Sequence, residues 1–199
     1  MKYKILSAAF ASLLSCSAFA DVEMSILFGQ AKLGSKVTFP TFPLQDSPDF
    51  SESDSSLGLR LSFPLGENFA IDVSYQNFGE TTTTFVDGFN DTVTDISKVK
   101  GFSAGAKGIL PLGDSFSLVG RLGLMRWSHD LARTDTGAPS STIDATGTDL
   151  YYGVGAEYSI TENFSVGLEY STFGFDYSTG NTNFDYDVKD LALSLAYKF

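Results

Sequence analysis

The stretch LGLRLSFPLGENFAIDVSYQ, residues 57–76, reads as a strand, a tight turn and a second strand. Leu57, Leu59, Leu61 and Phe63 fall on one side of the first strand, and Gly58, Arg60 and Ser62 on the other. Successive side chains of an extended chain point to opposite faces, so this alternation is the mark of a strand with two different surroundings. After Pro64-Leu65-Gly66-Glu67-Asn68, the alternation resumes with Ile71, Val73 and Tyr75 against Ala70, Asp72, Ser74 and Gln76. Period two on both sides of a short Pro/Gly/Asn turn predicts an antiparallel hairpin.

The same pattern recurs in both directions. Eight segments carry it, near 22–33, 56–63, 69–79, 99–110, 116–128, 149–159, 164–174 and 188–199. Most approach the ~9–11 residues with which a tilted strand crosses a bilayer. The connections sort into two kinds. Residues 64–68, 111–115 and 160–163 are short, whereas 34–55, 80–98, 129–148 and 175–187 are long and polar. PLGENF (64–69), PLGDSF (111–116) and SITENF (159–164) repeat at spacings of 47 and 48 residues, one hairpin and one long loop per period. Short turns at one end and long loops at the other predict an all-β fold: an eight-stranded antiparallel up-and-down transmembrane β-barrel with both termini on the short-turn, periplasmic side. Phe63, Phe69, Phe116, Tyr158, Phe164 and Phe199 are expected to ring the membrane boundary there.

The two faces of the strands decide what they meet. One face is apolar. The other carries Gly, Ser and Ala with isolated charges: Arg60, Asp72, Lys107, Arg121, Glu157 and Glu169. In a membrane barrel the apolar face meets lipid, and the small and charged face fills a lumen just wide enough for side chains. Three basic and three acidic residues suit a paired interior, since buried charges must be compensated. A soluble barrel holding an apolar ligand would need an apolar interior, which Arg60, Asp72 and Glu157 deny it.

Residues 1–20 form a separate unit. Lys2 and Lys4 precede the apolar run Ile5–Leu14, and Ala18-Phe19-Ala20 is a small-x-small site. These features read as a cleaved secretory signal, leaving residues 21–199 as one outer-membrane barrel domain. Leu13-Leu14-Ser15-Cys16 also resembles a lipobox, which would make Cys16 a lipidated N-terminus; with the conventional site, the exported chain has no cysteine. Loss of the signal removes two lysines and no acid, so the exported chain is two units more negative than the full-length −11. Such acidity argues against nucleic acid as a partner. Taken as 34–55, 80–98, 129–149 and 175–187, each of the four long segments carries an excess of three acidic charges. A solvated acidic coat is the first reading; divalent-cation bridging to lipopolysaccharide phosphates is the sharper one. Asp46, Asp49, Glu52 and Asp54 lack calcium-loop spacing, so no metal site is assigned.

Residues 105–128 (GAKGILPLGDSFSLVGRLGLMRWS) and 153–170 (GVGAEYSITENFSVGLEY) resemble the second half of the OmpA-type transmembrane barrel. Arg121-Leu122-Gly123 with Met125 and Trp127, and Val154–Tyr158 with Glu169-Tyr170, carry the likeness. The resemblance implies an interior ionic network that blocks or gates a narrow path, with Asp72, Lys107, Arg121, Glu157 and Glu169 at network positions. That family places another arginine two residues before the position of Glu169; here Gly167 stands there, and Arg60 would have to act from another strand. The resemblance covers the barrel and not the family's peptidoglycan-binding domain. Leu193, Leu195, Tyr197 and Phe199 resemble the C-terminal signal read by the outer-membrane insertion machinery.

Chemistry leaves little trace. Ser128-His129-Asp130 contains the single histidine, but neighbours on a strand face opposite ways, so Ser128 and His129 cannot pair as nucleophile and base. His129 is read as a loop-edge residue. No catalytic, cofactor or metal residues are assigned. The first functional expectation is a non-enzymatic surface platform serving envelope integrity, adhesion or surface interaction through its acidic loops. A narrow gated pore is the alternative, and a lipid A-modifying enzyme ranks third. Expected partners are outer-membrane lipid and lipopolysaccharide, the insertion machinery and a host or environmental surface ligand, with the barrel itself a monomer. Cys16 lipidation, ion conduction, the loop ligand and the oligomeric state are left open by the sequence.

Overall fold

The computed structural model describes residues 21–38, 50–86, 90–137, 139–179 and 182–199. The expected signal peptide, its Cys16 and the carboxylates Asp46 and Asp49 lie outside the described residues. Eight strands follow one another: β1 (Glu23–Thr38), β2 (Phe50–Pro64), β3 (Phe69–Val86), β4 (Thr92–Pro111), β5 (Phe116–Asp135), β6 (Ser141–Ser159), β7 (Phe164–Thr179) and β8 (Thr182–Lys198). Each pairs antiparallel with its neighbours, and β8 pairs with β1 to close the barrel. Closure matters because hydrocarbon offers no partner for a free strand edge.

The outward face is an apolar band. Phe116, Leu118, Leu122 and Leu124 of β5 and Leu191, Leu193, Leu195 and Tyr197 of β8 are all exposed. At the turn end Phe69, Phe116, Tyr158 and Phe164 point outward, with Phe164 edge-on to Tyr197 at 5.6 Å. The turns themselves are tight: Leu65 N donates to Phe69 O, Leu112 N to Phe116 O and Ile160 N to Phe164 O, each at 2.8 Å. Gly66 and Gly113 take positive φ in the first two, where a side chain would be strained.

The strands are longer than the alternation predicts. They run 15 to 20 residues and extend into all four segments expected to be loops. The reason is a change of phase. In β7 the apolar residues Phe164, Leu168 and Tyr170 point outward, whereas Phe173 and Phe175 further along point inward. β5 changes in the same way from Leu124 to Met125, Trp127 and Leu131, and β8 has inward Phe184, Tyr186 and Val188 before outward Leu191. Beyond the apolar band the strands meet water outside and one another inside, so the pattern reverts to that of a soluble sheet. In β3 a bulge between Asn77 and Glu80 shifts the register. Gly79 makes it possible at φ 88°, where a Cβ would lie 2.6 Å from Asp54 Oδ2.

The inward residues of this upper section form an aromatic layer. Trp127 stacks on Phe175 at 4.4 Å, Phe175 on Tyr186 at 5.0 Å, and Phe78 meets Phe173 at 5.3 Å. The expectation of a polar interior throughout is therefore corrected. The lumen is ionic at membrane depth and apolar above it, because only the lipid-embedded part must turn its apolar face outward. Trp127, the only tryptophan, is almost fully buried in this layer. Its emission in the folded protein is expected to be blue-shifted, resistant to acrylamide and unaffected by brominated acyl chains. Strong quenching by brominated lipid would put the ring on the lipid face and contradict this packing.

Candidate functional site

At membrane depth the lumen is filled by charge. Arg60 of β2 is buried and faces Glu169 of β7, with Nη1 donating to Oε2 at 2.7 Å and Nη2 to Oε1 at 2.9 Å. This two-pronged geometry is the one a guanidinium and a carboxylate share best. Tyr151 of β6 accepts from Arg60 Nη2 at 3.1 Å and donates to Glu169 Oε1 at 3.0 Å. Arg121 of β5 joins three carboxylates from three other strands: Nε donates to Asp72 at 2.8 Å, Nη1 to Glu169 at 2.6 Å and Nη2 to Glu157 at 2.9 Å. Lys107 of β4 lies 2.8 Å from Glu157 and 3.2 Å from Glu23 of β1.

Arg60, Asp72, Lys107, Arg121, Glu157 and Glu169 are thus brought into one connected cluster. Position 167 is glycine, and Arg60 reaches Glu169 from β2. The expected balance of three bases and three acids is corrected, because Glu23 and Asp190 also point inward. Asp190 accepts from Ser56 Oγ at 2.6 Å and from Gln76 Nε2 at 3.2 Å. Hydroxyl and amide donors share the load that a fourth base would carry. Asp190 was legible by parity with Ala192 and Ser194. Glu23, Tyr151, Ser56 and Gln76 are inward by the same alternation, but no single-strand pattern says which lumen residues meet. Asp144 and Asp149 lie further along β6 towards its loop end, where Asp149 accepts from Trp127 Nε1 at 2.6 Å.

His129 corrects another expectation. It lies on β5, beyond the apolar band, and is fully buried inside the barrel instead of at a loop edge. The upper strands continue past it, so what reads as loop is lumen. Its Nε2 lies 2.5 Å from Ser97 Oγ of β4, and its Nδ1 lies 3.2 Å from the Tyr177 hydroxyl. Tyr186 and Phe175 pack against the ring at 4.5 Å and 5.6 Å. Its partner is not the adjacent Ser128 but Ser97, diagonal to it across the β4–β5 ladder in which Val99 stands directly opposite His129. Burial pushes the imidazole down from 6.5 to about 4, with Asp130 opposing the shift. Among the described residues, no group of three or more His, Cys, Asp or Glu is arranged to hold a metal ion.

A closed eight-stranded barrel with an apolar outer band and a filled polar lumen defines an outer-membrane β-barrel protein. Residues 6–199 match the family described as outer membrane protein beta-barrel domain, and the chain belongs to that family. Its place is the bacterial outer membrane. A search of curated proteins gives no sequence match. Among solved structures, Ail, the attachment invasion locus protein of Yersinia pestis, solved with the heparin analogue sucrose octasulfate, is similar over 90% of this chain and 99% of its own, at 18% identity and TM-score 0.52. OprG from Pseudomonas aeruginosa is similar over 90% and 96%, at 16% identity and TM-score 0.53. The outer membrane protease OmpT from Escherichia coli is similar over 90% and 97%, at 12% identity and TM-score 0.52. At these identities the likeness is one of fold, and an attachment protein and a protease share it.

Two outcomes test the interior. Arg121→Ala leaves Asp72, Glu157 and Glu169 short of a buried partner and is expected to destabilise the folded barrel by about 3–5 kcal/mol, read by urea-dependent loss of the compact band on a semi-native gel. Arg121→Lys should recover only part of this, because one ammonium cannot reach three carboxylates. The lone histidine gives a clean pH test. The unfolded chain protonates it near pH 6.5 and the folded chain only near 4, so it opposes folding by up to about 3 kcal/mol as pH falls through that window. Imidazole NMR should show a neutral ring in the folded protein at pH 5.5; a ring charged at that pH would contradict its burial.

Proposed function

We propose that the chain is a non-enzymatic, non-conducting outer-membrane platform that presents acidic loops at the cell surface. The observation that carries this reading is the double closure of the lumen. The ionic cluster around Arg121 occupies the membrane section, and the Trp127–Phe175–Tyr186 layer covers it on the loop side. An ion would have to part both a paired charge network and a packed apolar layer. A gated pore, the alternative, needs at least one of them to open.

The non-enzymatic reading is supported by the surroundings of the best candidate dyad. Ser97 and His129 are within hydrogen-bond distance, but both are buried beneath aromatic rings, and Tyr177 instead of a carboxylate stands at Nδ1. A nucleophile and base need access for substrate and an acidic partner for the base. Ail was solved with a polysulfated ligand; the acidic loops of this chain favour neutral or cationic surface ligands instead. Leu193, Leu195, Tyr197 and Phe199 suit recognition by the insertion machinery, since alternate residues of the closing strand present one apolar face ending in an aromatic pair at 5.1 Å.

Planar-bilayer conductance of the refolded chain tests the platform against the pore. Wild type and Arg121→Ala are both expected to be silent, the variant because the aromatic layer remains. Reproducible steps in wild type, or steps that grow in Arg121→Ala, would replace the platform with a gated pore.

A further inference from the structure

The basic residues after position 20 are few, and their placement is uneven. Arg60, Lys107 and Arg121 fill the lumen. Arg133 pairs with Asp95 on the upper strands, and Lys198 with Asp21 at the turn end. Every other basic residue — Lys32, Lys36, Lys98, Lys100, Arg126 and Lys189 — is exposed on the outer face, on the loop side of the apolar band.

Three of them mark the edge of the band directly. On β4 the outward residue beyond Phe102 is Lys100, on β5 the one beyond Leu124 is Arg126, and on β8 the one beyond Leu191 is Lys189. The β4–β5 register pairs Phe102 with Arg126 and Lys100 with Ser128, so Arg126 and Lys100 are diagonal neighbours, with Lys98 next along β4. On the other flank the closing ladder sets Lys32 directly opposite Lys189. Like charges paired across strands repel and lower stability unless an anion lies between them. Arg126 and Lys32 have no carboxylate partner among the described residues. Lys98 and Lys100 reach Glu80 at 2.7 Å and Asp130 at 3.5 Å, but these are solvent-exposed pairs that contribute little and yield readily to a stronger anion. Lys189 is likewise in an exposed pair with Asp187. Lys98 and Lys100 also line a hollow of about 480 Å³ between β2, β3, β4 and β5, together with Leu57 and the carboxylates Asp54, Glu80 and Asp130.

We propose that these two flanks, Lys98/Lys100/Arg126 and Lys32/Lys189, bind the phosphate groups of lipopolysaccharide in the outer leaflet. The inference rests on the outer-membrane orientation and deepens the platform reading. Charge and depth both select this occupant. An acidic chain places Lys32, Lys100, Arg126 and Lys189 at or just beyond the edge of the apolar band, near the depth at which a membrane glycolipid carries phosphates, with apolar side chains immediately below them for the acyl chains. The contact is direct, from ammonium and guanidinium to phosphate, and does not depend on a cation bridging to the acidic loops.

The test is native mass spectrometry of the folded full barrel in detergent micelles, titrated with bis-phosphorylated, mono-phosphorylated and phosphate-free lipid A. Affinity is expected to fall in that order. A basic residue near an anionic surface contributes roughly fivefold in binding, so Lys98→Gln/Lys100→Gln/Arg126→Gln and Lys32→Gln/Lys189→Gln should each weaken the bis-phosphorylated lipid many-fold. Their combination should abolish the preference, and Lys-to-Arg replacements should retain it. Equal binding of the three lipids by wild type, or a preference unchanged in the combined variant, would overturn the proposal. So would displacement by free pyrophosphate as effective as lipid A itself, which would indicate an unspecific anion surface. Heat-dependent gel mobility reports folding of each variant independently. Conductance in phosphatidylcholine needs no lipid A, so failure of the platform reading is distinguishable from failure of this one.

Discussion

The fold depends on closure of the sheet. In hydrocarbon an unpaired amide or carbonyl costs several kcal/mol, and strands crossing it must pair on both edges. The β1–β8 ladder meets this requirement along its whole length, from Glu23 opposite Lys198 to Thr38 opposite Asn183. Closure also fixes the rest. It gives the barrel a lumen too narrow for anything but side chains, so the inward half of every strand must fill that space. It also dictates that the residues at equal height on eight different strands become neighbours.

What fills the lumen follows from what lies outside it. Where lipid surrounds the barrel, the outward positions are taken by apolar residues, and the inward ones hold Gly, Ser and compensated charge. Burying that charge is costly, and the geometry offsets it. Arg121 alone reaches three carboxylates, and Arg60 holds Glu169 in a two-pronged grip with Tyr151 bonded to both, while Asp72 Oδ1 stays buried without a hydrogen bond. Above the lipid the outer surface is wet and the constraint reverses. Many inward positions become Trp, Phe, Tyr and Val, packed around fewer polar pairs: Trp127 donates to Asp149, and Arg133 grips Asp95 with two hydrogen bonds. His129 belongs to this second regime: it is kept neutral among aromatic rings, and its nitrogens meet hydroxyls instead of carboxylates.

The same change of surroundings explains the distribution of outward charge. Lys and Arg are absent from the lipid-facing surface and return at its loop-side edge. Acidic residues dominate the long segments beyond. Along its axis the molecule therefore passes from an apolar band to an edge where Lys98, Lys100 and Lys189 alternate with Glu80, Asp130 and Asp187.

The amino-acid sequence by itself determined the strand number, the hairpin order, the face that meets lipid and six of the charges inside, because each is written in a local period of two or in the turn chemistry of PLGENF and PLGDSF. It did not show where the strands end, since reading for one apolar phase stops where the phase inverts, between Tyr170 and Phe173 or Leu124 and Met125. Nor could it show that His129 meets Ser97, that Glu23 meets Lys107, that Asp190 meets Ser56 and Gln76, or that Lys32 faces Lys189. Those contacts lie between residues far apart in the chain, and only the strand register and the closing of the barrel bring them together.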